Sequence, residues 1–132
     1  MTLHVLPFAK IILLRDDIAE VIINESVEMD LEMVETYHSF LLSHLKAPFS
    51  LLINKINAYS YSYDAQKKLA TLDEIKAMAV VSYRNATKTS TKALAAVPRR
   101  QAWNLEIHTN REDALNWLIA THEAPAPHSS KS

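Results

Sequence analysis

None of the 132 residues is glycine. Glycine takes left-handed backbone at no steric cost, and average usage near 7% would place roughly nine in a chain this long. Its absence excludes a phosphate-cradling P-loop, a glycine-rich dinucleotide turn and a glycine-flanked nucleophile elbow. Turns must be built from Asn, Asp, Ser and Pro. Cysteine is missing too, which removes disulfides, thiol catalysis and thiolate metal sites, and fits a reducing compartment. The 48% hydrophobic residues, 22% charged residues and formal charge of −1 describe one ordinary globular domain. No nucleic-acid partner is expected from that charge.

Apolar runs such as Ile11–Leu14 end in charge within a few residues, far short of the ~20 that a membrane span needs. Met1–Lys10 lacks a basic segment followed by an apolar one, so no signal peptide is expected, and a cytoplasmic location is. Lys10–Arg15 and Ile18–Asn24 are β-rich runs around Asp16-Asp17, a hairpin signal. Asp30–Lys46 predicts a helix capped by Asp30, with Leu31, Val34, His38, Leu41, Leu42 and Leu45 on its core face. Phe49–Asn54 and Ala77–Tyr83 are continuous apolar runs, as in parallel strands covered on both faces. Between them lie a short helix at Asp64–Leu69 and a helical turn near Leu72–Lys76. Asn85–Val97 predicts a modest helix ended by Pro98, and Trp103, Leu105 and Ile107 alternate as a half-buried strand. Thr109 and Glu112 form a capping box for a last helix carrying Ala114, Leu115, Leu118 and Ile119. The order β β α β α β α β α predicts an α/β single domain over residues 1–122. Its sheet is mostly parallel, with about five strands, an N-terminal β-hairpin that reverses the first strand alone, and about four helices. Residues 123–132 are expected to be a disordered tail.

That order resembles the STAS superfamily, and most of all its small bacterial SpoIIAA-like (STAS/SEC14-like) members. The likeness rests on the hairpin Lys10–Asn24, the helix Asp30–Lys46, the strand Ser50–Asn54 and the ending Thr109–Leu118. It implies a non-enzymatic regulatory module working through protein contacts, or a carrier or sensor of a small apolar ligand or lipid. Anti-sigma-antagonist members carry a phosphorylated serine in an Asp-Ser-Ser/Thr-Gly motif. The equivalent stretch here, Tyr61-Ser62-Tyr63-Asp64-Ala65, lacks the glycine. Ser62 and Asp64 remain as candidate regulatory positions.

Met33, Tyr37, Phe40 and His44 form a second stripe on the first helix, either a wider core or a contact surface for another protein or a second copy. Tyr59, Tyr61 and Tyr63 alternate at period two, so an extended segment would present all three on one side, next to a strand's carboxyl end. His38 on the apolar face is expected to be buried and neutral. A ligand cavity, if present, is expected to involve Leu42, Tyr61, Trp103 and Trp117. Asp16 to Leu45 holds eight acids and no Lys or Arg, while Lys67 to Arg100 holds eight basic residues; a solvated surface or self-association would use this asymmetry. The scattered histidines suggest no metal site. No local spacing sets a nucleophile beside a base, so neither catalytic residues nor a cofactor are expected.

Overall fold

The computed structural model describes residues 1–84, 88–89, 91–93 and 104–125. In chain order its elements are β1 (Thr2–Leu6), β2 (Ala9–Arg15), β3 (Ile18–Ile23), β4 (Glu28–Met29), α1 (Leu31–His44), β5 (Phe49–Lys55), β6 (Ser60–Tyr61), α2 (Tyr63–Lys68), β7 (Ile75–Ser82), β8 (Leu105–His108) and α3 (Arg111–Glu123). Residues 88–89 and 91–93 are also helical. The main sheet runs β1-β2-β3-β5-β7-β8, and β4 pairs with β6 in a separate parallel ribbon. β1, β2 and β3 are antiparallel neighbours, whereas β3, β5, β7 and β8 are parallel. The expected α/β class, hairpin and parallel continuation are all present.

Six strands replace the expected five, because Thr2–Leu6 adds an edge strand. Leu6, Pro7 and Phe8 turn the chain so that β1 pairs back on β2, with His4 opposite Ile11. β2 nevertheless remains the one reversed strand of this sheet, since β1 runs the same way as β3. The helical turn expected near Leu72–Lys76 is a plain turn, closed by the bond from Ile75 N–H to the Leu72 carbonyl, and β7 begins there. The cap of α3 is Asn110 rather than Thr109, its side chain accepting from the Asp113 N–H. The sequence offers the same three-residue spacing one position later, and Asn caps as well as Thr. Most of the expected helix Asn85–Val97, Trp103 and the tail from residue 126 lie outside the described residues.

Every strand sits beside its predecessor, so crossovers of one hand place their helices on one face. α1 and α2 cover the face that carries Ala19, Val21, Leu51 and Met78. α3, which no strand follows among the described residues, folds back over Ile18, Leu52, Ala77, Ala79 and Val81 on the other face. β5 is therefore buried on both sides, as its continuous apolar run predicts.

The core face of α1 is rotated from the expected one. Val34, Tyr37, His38 and Leu41 are buried, and Leu45 follows at the cap, while Leu42 is 46% exposed. Placing Leu31 and Leu42 on the core face is thus corrected, and Tyr37 belongs to the wider core that its stripe left open. The rotation follows from the extra strand: His4 packs edge-on to Phe40 and His44 at ring distances of 5.1 and 4.9 Å, drawing that flank of the helix toward β1.

Two positions do glycine's work without glycine. Ser26 and Ala70 take φ of 66° and 53°, a region that costs a side-chain-bearing residue about 1–2 kcal/mol. Each is held by a backbone bond. Ser26 N–H donates to the Ala58 carbonyl at 2.7 Å, and Ala70 N–H donates to His38 Nε2 at 3.1 Å.

Candidate functional site

A cavity opens between the α1/α2 side of the sheet and the β4–β6 ribbon. Its floor is the side chains of Val21, Ile23, Ile53, Lys55, Met78, Val80 and Leu105; Met29, Tyr37, Tyr59, Tyr61, Leu69, Ala70 and Thr91 form its walls. The space measures about 490 Å³ only with its open mouth and the adjoining solvent included; the enclosed part is much smaller than a usual ligand pocket. It lies toward the carboxyl ends of the parallel strands, where open α/β sheets take ligands.

The register explains the one charge inside it. Side chains alternate along a strand, so Leu51, Ile53 and Lys55 share the cavity face of β5 while Ser50, Leu52 and Asn54 share the other. Lys55 is only 8% exposed. Among the described residues its ammonium has no hydrogen-bond or ion-pair partner; it lies 5.4 Å from the Tyr59 ring centre and 5.9 Å from that of Tyr61. Such cation–π contacts offset only part of the hydration that burial removes. Burial accordingly pushes the Lys55 ammonium down to about 8.

Three phenols complete the polar lining. Tyr61 donates its hydroxyl to that of Tyr59 at 3.3 Å, with the rings edge to face at 5.5 Å. Burial raises Tyr37, Tyr59 and Tyr61, the last to about 12, so all three are neutral donors at pH 7. Tyr63 does not join them. The extended segment ends at Ser62, whose hydroxyl caps α2 by accepting from the Ala65 N–H. Tyr63 then starts the helix, 69% exposed, under the Lys67 ammonium. Ser62 is thus a helix cap, and Asp64 sits exposed in the first turn of α2.

His38 is 5% exposed, as expected, but its partner is the α2–β7 connection rather than the sheet. Its Nε2 accepts from Ala70 N–H, which requires that nitrogen to be unprotonated. Burial, aided by the Lys68 charge, holds the imidazole down at about 4. His38 thereby fixes Ala70, a wall of the cavity. The first-helix stripe divides: Tyr37 lines the cavity, Met33 and Phe40 are half-buried, and exposed His44 stacks on Phe40 at 4.0 Å. Of the residues expected around a ligand, Tyr61 lines this cavity, Leu42 is exposed and Trp117 lies on α3 against His108, while Trp103 lies outside the described residues.

Two polar clusters on the α3 face escaped the sequence reading. At the start of α3, Arg111 grips the buried Glu20 carboxylate at 2.7–3.1 Å, and Asn54 Nδ2 adds a bond at 2.9 Å. Burial pushes Glu20 up, but these bonds outweigh it and the carboxyl ends below its usual range. At the other end, Ser50 Oγ meets His122 Nδ1 at 2.6 Å and His122 Nε2 meets Asp17 Oδ2 at 3.0 Å. This puts a serine beside a base, which the sequence reading had not found. The serine is fully buried, however, and its N–H already donates to the Asp17 carbonyl. An attacking group needs access and free donors for the developing oxyanion, and Ser50 has neither. The chain of bonds instead ties the last turn of α3 to the sheet, and Lys76 caps the same turn through the His122 and Ala124 carbonyls.

Among the described residues no group of three or more His, Asp or Glu side chains is placed to hold a metal ion, and no helix is long and apolar enough to cross a membrane. No family model, curated protein or solved structure matches the chain. Function must therefore be argued from the α/β fold and the cavity.

Proposed function

We propose that this domain is a non-enzymatic receptor, a carrier or sensor, for one small and mostly apolar molecule held in the Lys55 cavity. The carrying observation is that a space lined by Val21, Ile53, Met78, Val80 and Leu105 contains a buried lysine ammonium that no described residue pairs with, beside the Tyr59 and Tyr61 hydroxyls, which bond to each other. Cores are close-packed, and a polar group inside one is ordinarily bonded. A ligand with an apolar body and one polar end supplies what both features lack. The STAS-like, SpoIIAA-like relationship belongs to this proposal as well. Its support is the element order, a hairpin followed by alternating helices and parallel strands. A regulatory role through protein contacts has less behind it, because Tyr37 is core and β1 packs on Phe40 and His44.

The test is binding of 1-octanol and octanoate by calorimetry, with native mass spectrometry for co-purifying molecules. Ile53→Phe, which fills the cavity from its floor, should abolish binding while leaving the circular dichroism spectrum unchanged. Should neither probe bind and no small molecule co-purify, or should Ile53→Phe bind as well as wild type, the receptor reading is wrong.

A further inference from the structure

Resting on that reading, we infer that the ligand is an apolar carboxylate whose anionic head pairs with the Lys55 ammonium, the phenols of Tyr59 and Tyr61 closing over it. A neutral ligand would fill the space but leave the ammonium uncompensated. A cationic one would meet like charge in an apolar enclosure. Among the described residues that line the cavity none is acidic, so these residues supply no counter-ion, although elsewhere Glu20 pairs with Arg111 and Asp17 with Arg15. Lys55 ends the strand at the centre of the sheet and is itself more than nine-tenths buried. Its charge is therefore fixed in place by the backbone rather than swung in from the surface. The Tyr59 hydroxyl accepts from Tyr61 and keeps its own proton to donate, the polarity that a carboxylate oxygen accepts from. The apolar floor of Val21, Ile53, Met78 and Val80 accepts the start of a short aliphatic remainder, the rest lying in the open mouth.

Calorimetric titration at pH 7 should place octanoate at least about tenfold tighter than 1-octanol, the gap expected of a charge-assisted hydrogen bond. Octylamine should bind weakest. In Lys55→Met the two affinities should converge through loss of octanoate binding alone, with a melting temperature no lower than wild type. In Lys55→Arg a preference for octanoate should survive. If 1-octanol binds wild type as tightly as octanoate, or if Lys55→Met keeps the preference, the carboxylate assignment falls while the receptor reading stands. If none of the three probes binds, the carboxylate assignment falls, and the receptor reading falls with it when no small molecule co-purifies. A Lys55→Met protein that unfolds would make Lys55 a structural residue and would equally sink the assignment.

Discussion

Replacing Lys55 by Met should make the protein more stable at neutral pH, and the gain should shrink as the pH rises. The side chain is 8% exposed, without an ion-pair partner among the described residues, and burial brings its ammonium from 10.5 to about 8. Between pH 8 and 10.5 the unfolded chain binds a proton there that the folded chain does not, so stability rises with pH across that window. Below pH 8 both states are protonated and the folded state carries the full penalty. The fall from 10.5 to about 8, at ~1.36 kcal/mol per pH unit, gives about 3 kcal/mol. The two cation–π contacts are already contained in the folded-state value, and Met keeps most of the packing of the lysine stem. Imperfect repacking reduces the net gain to about 2 kcal/mol. Urea unfolding of both proteins at pH 7 and pH 9.5 measures it. The difference should narrow by about 2 kcal/mol at the higher pH, because there the folded lysine has lost its proton and the buried charge with it. A Lys55→Met protein less stable than wild type, or a pH-independent difference, would refute the claim that an uncompensated buried charge sits in the cavity.

His38, held at about 4 against 6.5 in the open chain, should make wild type lose about 2 kcal/mol between pH 7 and pH 5, since protons bind the unfolded imidazole first as pH falls. His38→Gln keeps an acceptor near Ala70 and should lack that dependence in urea titrations; equal slopes would contradict the assignment. Ala70→Gly should raise stability by about 0.5–1 kcal/mol, relief at φ 53° exceeding the added chain entropy, and a lower urea midpoint would mean that the His38 bond leaves no strain to relieve. Arg111→Met should cost about 3 kcal/mol by stranding the Glu20 carboxylate; adding Glu20→Gln should restore much of it, and a double variant no better than the single one would argue against the pair. Ser50→Ala should lower stability by about 1 kcal/mol through loss of the bond to His122, and wild type should resist fluorophosphonate labelling, whereas labelling at Ser50 would show an accessible nucleophile.

What the sequence made legible is what local periodicity encodes. The Asp16-Asp17 hairpin, Asp30 as the cap of α1, and the doubly covered strands at Phe49 and Ala77 all follow from patterns within a dozen residues. β1 escaped because its alternation is inverted. Leu3 and Val5 are more than half exposed, and they lie on the side of the sheet that α3 does not reach at this edge, so the strand lacks the apolar-in, polar-out signature. Missing it then misplaced the α1 face by one stripe, since β1 is what covers Phe40 and His44. Local reading also let Tyr59, Tyr61 and Tyr63 share a side, which required extended backbone one residue past where Ser62 caps a helix.

The site was harder to read because it is made by register. A lysine after Leu51-Leu52-Ile53-Asn54 looks like the polar residue that ends a buried strand, one of 14 basic residues in the chain. Only when β5 is placed between β3 and β7, with Asn54 opposite Val81 and Lys55 opposite Ser82, does the alternation turn Lys55 inward. The chain then passes through Ala58 and returns in the β4–β6 ribbon, which lays Tyr59 and Tyr61 over the amine. The same logic governs Ser50 and His122, 72 positions apart, and Glu20 and Arg111, 91 apart. Those pairs differ from Lys55 in one respect that bears on function: each polar group among them meets a partner of its own fold. Among the described residues the buried Glu20 charge is neutralised while the Lys55 ammonium faces an apolar space, and the proposed ligand rests on that contrast.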